Sequence, residues 1–304
     1  MSVPTVLTIP DHAKGILLCV IGVMVLTPDT LLIRKAAEGT STPTLLFFRY
    51  GFHGCSVLSY ILATEKSKAW DTIKGIGKLG VLAGVLLGAA NIFFTYGVEY
   101  TAVANVLVIL ACNPLFAALF SWALVGEVVK ARTAATMCVS LGAIALIFYD
   151  QIGADSTDKS GLGNVFAVAA AVLLGLFFAV VHFAKKRLER DINMVPCNIM
   201  AGVFVVIVSL LLGARPDSTS VWSPPLHTFG YLALQGLLSM PVSFSLFTVA
   251  LHYVTAPEVS MFFLVETCLG PLWVWLGGYE APPPFTLLGG GIVILVLIIH
   301  RYCI

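Results

Sequence analysis

Charge is what this sequence lacks most. Of its 304 residues 11% are Asp, Glu, Lys or Arg, while 59% are apolar. A soluble domain carries about a quarter charged residues, so this chain could not clothe its surface for water. Lipid asks for no such cover, and the mean hydropathy of +0.97 agrees. A bias of either sign is also missing: the net charge is +1, which gives no reason to expect a nucleic-acid partner. The seven cysteines stand singly, with no CxxC and no metal-ligand spacing. They read as small packing residues, and neither a metal nor another cofactor is expected. No Walker A loop, H-E-x-x-H or G-x-S-x-G occurs. ATP-driven pumping and the common hydrolase chemistries are therefore unsupported, and the chain does not read as an enzyme. No N-x-[ST] acceptor is present, and no small-residue cleavage site follows the first apolar run, which reads as a membrane helix.

Long apolar runs are what the sequence has in abundance. A helix needs about 20 mostly apolar residues to cross the hydrocarbon. Such runs fall near 15–35, 42–63, 79–98, 102–125, 132–149, 161–184, 193–213, 229–251, 257–277 and 284–301. The expected fold class is an all-α membrane protein of ten transmembrane helices. With a cytoplasmic N-terminus, twelve Lys and Arg fall on the inner side against four outside. Both termini are then cytoplasmic, in a plasma membrane or an organelle membrane.

The two halves match at a constant offset of 153: Pro43 falls on Pro196, Arg34 on Arg187, Tyr100 on Tyr253 and Glu127 on Glu280. Asn105 and Asn113 of span four fall on Glu258 and Glu266 of span nine. The expected repeats are 1–150 and 151–304, five spans each, and an odd number inverts the second copy. Inverted repeats recur in secondary transporters, with the solute bound at the midplane.

Ionisable groups at mid-bilayer cost roughly 2.5–3.5 kcal/mol each on insertion scales, so Asp29, Arg49, His53, His182, Glu258 and Glu266 must face the interior or one another. In span one, Thr27 caps and Pro28 opens a second half-helix. Asp29 then pairs with Arg49, or binds a cationic group. Glu258, Phe262 and Glu266 share one face of span nine, as Asn105, Ile109 and Asn113 do in span four. Two acids and two amides would flank one cavity, and a carboxyl withdrawn from water suits a carrier that exchanges protons. Asn91, Asn198, Ser239 and Ser243 are further candidates for the lining, and the aromatic residues Phe93, Phe94, Phe178, Phe244, Phe247, Phe262 and Trp273 could meet an apolar or aromatic solute, although most are expected to face lipid or neighbouring helices. Gly80, Gly84 and Gly88 form a smooth stripe for a close helix contact, within a monomer or across a homodimer.

These residues resemble the drug/metabolite transporter superfamily, specifically its EamA-type branch. The resemblance rests on Ala104-Asn105 through Asn113-Pro114 to Gly126-Glu127, and on Pro257-Glu258 through Glu266 and Gly270-Pro271-Leu272-Trp273 to Glu280. It covers nearly the whole chain. It implies two inverted bundles working by alternating access on small-molecule solutes such as amino acids, usually exported. Thr267 departs from the proline common after Glu266, which predicts a milder kink in span nine. Tyr279 stands where a glycine is usual. A nucleotide-sugar or sugar-phosphate antiporter of the same superfamily ranks second, because few cations reach the cavity. A membrane scaffold or sensor is the alternative from another class.

Overall fold

The computed structural model describes residues 10–38, 40–101, 103–126, 128, 131–147, 158–189, 194–213 and 224–278, with 288, 291–292, 295–296 and 299 beyond them. Every regular element among the described residues is helical. In order they are α1 (Asp11–Leu26), α2 (Asp29–Ala37), α3 (Thr42–Glu65), α4 (Ala69–Lys74), α5 (Gly77–Tyr100), α6 (Val103–Leu110), α7 (Asn113–Val125), α8 (Ala131–Ile147), α9 (Asp158–Leu188), α10 (Met194–Gly213), α11 (Leu226–Leu234), α12 (Met240–Ala250) and α13 (Ala256–Leu276). A 3-10 turn, Lys66–Lys68, joins α3 to α4, and one π turn, Gln235–Ser239, joins α11 to α12.

Among the described residues, six stretches are long and apolar enough to cross a membrane: Asp11–Ala37, Thr42–Lys74, Gly77–Tyr100, Gly161–Leu188, Val195–Gly213 and Leu226–Ala250. They coincide with expected spans one to three and six to eight. Asn113–Val125 and Met261–Leu276 are shorter apolar helices within spans four and nine. α8 fills the fifth expected run with 17 residues, and most of the tenth lies outside the described residues. Lipid-facing surface is evident along α1 and α10, where Leu17, Ile21, Met24, Val203, Ile207 and Leu211 are exposed.

The packing between halves comes in matched sets. At the offset of 153, α1 corresponds to α9, α3 to α10, α5 to α11–α12, and α6–α7 to α13. α5 lies on α9, and its counterpart α12 lies on α1. α7 packs against α9 as α13 packs against α1, and α10 meets α5 as α3 meets α11, the π turn and α12. The pairs α3·α10 and α7·α13 are their own counterparts. The glycine stripe serves this packing: a Cβ on Gly84 would lie 2.7 Å from the Cys197 carbonyl, and one on Gly88 3.0 Å from the Ala201 carbonyl. Its close contact is thus with α10 of the same chain.

Proline breaks this symmetry. Span one turns at Thr27–Pro28, span four at Ala111–Cys112 before Pro114, and span eight carries its π turn just before Pro241. The repeat counterparts of these prolines are Val181, Thr267 and Gly88, and α9, α13 and α5 run unbroken through them. The milder kink expected at Thr267 is thus a continuous helix. A mid-helix proline frees the carbonyl four residues back, and hydrocarbon cannot solvate it. Two of these carbonyls have a hydroxyl partner. Thr27 Oγ1 donates to the Met24 carbonyl at 3.1 Å, and Ser56 Oγ to that of Leu237 at 2.9 Å. The second bond crosses from α3 to the π turn, so Ser56→Ala should cost about 0.5–1.5 kcal/mol. Ser59→Ala, one turn on and without such a bond among the described residues, is the comparison. Equal midpoints of thermal unfolding for the two variants would refute this role for Ser56.

Candidate functional site

The break in span one places Asp29 at the start of α2, 3% exposed. It meets Arg49 of α3, 1% exposed, whose Nη2 donates to Asp29 Oδ2. Burying a charge pair is tolerable only when further hydrogen bonds complete it. Gln235 supplies them from the π turn: its Nε2 donates to Asp29 Oδ1 and to the Asp29 carbonyl, both at 3.0 Å. Ser239, one turn further, donates to the Val25 carbonyl at 2.8 Å, and Trp273 of α13 donates to Thr27 Oγ1 at 3.0 Å. The kink of span one is thereby held by spans two, eight and nine together.

A small, partly open cleft lies beside this network. Asp29, Arg49, Asn91 and Glu266 are its polar lining, and Phe94, Leu174, Phe244 and Phe263 are among its apolar lining. Phe247 backs the aromatic wall, with its ring centroid 4.7 Å from that of Phe263 and 6.3 Å from that of Phe244. Asn91 donates to the Leu87 carbonyl of its own helix at 2.9 Å, which fixes its rotamer. Glu266 is buried, and no hydrogen bond to its side chain occurs among the described residues.

Of the residues predicted from sequence, the structure brings Asp29, Arg49, Asn91 and Glu266 to one cleft. His53 lies one turn along α3 from Arg49, fully buried, and shares a hydrogen bond with Asn198 of α10. Asn113 is fully buried at the start of α7, with neither side-chain polar atom bonded among the described residues. His182 is buried in α9, away from the cleft lining. Phe262 packs on the main hydrophobic core, and its neighbour Phe263 lines the cleft instead. The side chain of Asn105 lies outside the described residues.

Glu258 is not brought to the cleft. It is the third residue of α13, and its Oε2 accepts from the Thr255 backbone N–H at 2.8 Å and from Thr255 Oγ1 at 3.0 Å. That is a capping box, and Thr255-x-x-Glu258 spells it in the sequence. His12 Nε2 lies 3.6 Å from its other oxygen. Gln235 is the site residue that sequence reading missed. The signal was an amide inside an apolar run, six residues before a mid-span proline.

A helical bundle with broken spans, a buried ion pair at one of the breaks and a cleft shared by both halves has the build of a multi-pass membrane carrier. Residues 13–149 and 162–301 each match the EamA-like transporter family, and the chain belongs to that family. A protein of Clostridium kluyveri, described as an uncharacterized transporter, is 25% identical over an aligned length of 201 that covers 63% of this chain. The chain spans 62% of the length of that curated relative. One solved crystal structure shares the fold, with a TM-score of 0.74 at 14% identity over 95% of this chain and 98% of the other.

Proposed function

We propose that the chain is a secondary carrier that exports small metabolites such as amino acids by alternating access, with proton exchange at Glu266. The observation that carries this reading is Glu266 itself: a buried carboxyl on a cleft lined by both halves, bonded to no other described residue. A carboxyl tied up in structure, as Glu258 is in its capping box, has one oxygen held by two donors. One left open on a cleft is able to take up and release a proton as its surroundings change.

The matched packing of α5·α9 with α12·α1, and the family match in each half, support residues 1–150 and 151–304 as inverted repeats. The distribution of Lys and Arg supports cytoplasmic termini and a plasma-membrane site. The use of the Gly84 and Gly88 face within one chain favours a monomer. Asp29, Arg49, Asn91 and Glu266 are the proposed contacts for the solute or proton, with His53 one turn from Arg49 on α3, Asn198 on α10 and Asn113 on α7 as further candidates. A phosphorylated solute fits less well. It would bring two negative charges to a cleft in which Arg49, the one cationic lining residue among those described, already faces Asp29.

The test uses proteoliposomes. Counterflow of a labelled solute against its unlabelled form needs no coupling ion, whereas accumulation under an imposed pH gradient does. The expected result is counterflow of one solute class by the wild type. Glu266→Gln should keep that counterflow and lose gradient-driven accumulation. Equal accumulation by both proteins would remove the proton role, and no counterflow across amino acids, dicarboxylates and nucleotide sugars would count against a carrier.

A further inference from the structure

We propose that Arg49 is the anchor for the carboxylate of a zwitterionic solute, which accepts hydrogen bonds from its Nε and Nη1. The solute's ammonium then faces Glu266, and its apolar part lies along Phe94, Phe244 and Phe263. This rests on the carrier reading and narrows its substrate class.

A guanidinium carries five N–H donors and no acceptor, and it keeps its charge in any protein environment. At Arg49 only Nη2 is engaged, by Asp29. Nε and Nη1 have no acceptor among the described residues, although the side chain is 1% exposed. Buried donors on a charged group are the costliest kind to leave unpaired. The neighbours do not relieve them. Asp29 already accepts from Arg49 and Gln235, and Gln235 turns its amide nitrogen to Asp29 while its own Oε1 is unpaired. The network is one anionic acceptor short, at a residue that lines the cleft.

Charge balance narrows that acceptor. Asp29 and Arg49 cancel, and Glu266 contributes one further negative charge when ionised. A free carboxylate would satisfy Arg49 but add to the charge of Glu266. An amine would neutralise Glu266 but leave Arg49 short. A molecule with both groups and an apolar remainder answers the donors, the acid and the aromatic wall at once.

The experiment is ligand-dependent thermal unfolding of the purified full-length protein. The four probes are phenylalanine, its methyl ester, 2-phenylethylamine and 3-phenylpropionate. Phenylalanine should stabilise the wild type, with the ester and the amine binding about 10- to 100-fold more weakly, as expected for loss of a charge-assisted hydrogen bond. In the double variant Asp29→Asn/Arg49→Gln, which keeps the pair neutral, phenylalanine should fall to the level of the ester. An amine that binds as well as phenylalanine, discrimination that survives in the double variant, or no stabilisation by any probe would each overturn the proposal. Counterflow separates it from the carrier reading. Counterflow of phenylalanine and 2-phenylethylamine alike would sink the anchor and leave the carrier. Discrimination in binding without counterflow of any solute would do the reverse.

Discussion

Asp29→Asn should destabilise the folded protein by about 3–5 kcal/mol, the usual cost of stranding one member of a buried ion pair. Arg49→Gln should cost less. The asymmetry comes from chemistry: the carboxyl left behind in Arg49→Gln can take up a proton and keep its bonds from Gln235, whereas the guanidinium left behind in Asp29→Asn stays charged. Combining the two changes should recover much of the loss, because an amide pair needs no counter-charge and Gln235 still reaches position 29. Adding Glu266→Gln to Asp29→Asn should deepen the defect, since Glu266 is the other acid on the cleft that Arg49 lines. Midpoints of thermal unfolding in detergent, followed by tryptophan fluorescence, read all four proteins. If Arg49→Gln proved the worse of the two single variants, or the double variant were no better than Asp29→Asn, the pair would not be the element that holds span one.

That network shows how unevenly the sequence announces its structure. Pro28 and Asp29 stand in an apolar run where hydrocarbon penalises both, so the break and the need for a cation were visible, and Arg49 was the natural partner. Gln235 was not, because an uncharged amide costs little by composition and blends into its span. The π turn that aims it at Asp29 has no periodicity of its own. Its causes are Pro241 in the following turn and the close contact of Gly236 with α3, and the second of these is a tertiary fact. Glu258 was over-read for the opposite reason. Its match to Asn105 suggested a cavity residue, yet its position three after Thr255 already spelled a helix cap. Span nine shows local chemistry overriding the repeat: Thr267 keeps the backbone N–H that Pro114 lacks at the matching place, so α13 runs unbroken where α6 and α7 part.

Gly236→Ala should disturb the same network from the backbone side. A Cβ at Gly236 would lie 2.3 Å from the Arg49 carbonyl, 2.6 Å from Phe52 Cβ and 3.0 Å from the His53 nitrogen. Two of these atoms are backbone of α3, and no rotamer change can move them. The π turn and α3 must separate, at about 1–3 kcal/mol for an overpacked contact. The separation also draws Gln235 away from Asp29 and shifts Arg49 relative to both. Solute binding should therefore weaken beyond what the lost stability alone accounts for. Gly51→Ala is the matched control, two residues along α3 from Arg49, where an added Cβ meets nothing within 4 Å. There the helix propensity of alanine should leave stability unchanged or raise it by about 0.5–1 kcal/mol. Thermal midpoints and counterflow measured on both variants decide the matter. Equal behaviour would mean that the backbone contact at Gly236 does not position the ion pair, whereas loss confined to Gly236→Ala would tie the π turn of span eight to the solute site of span one.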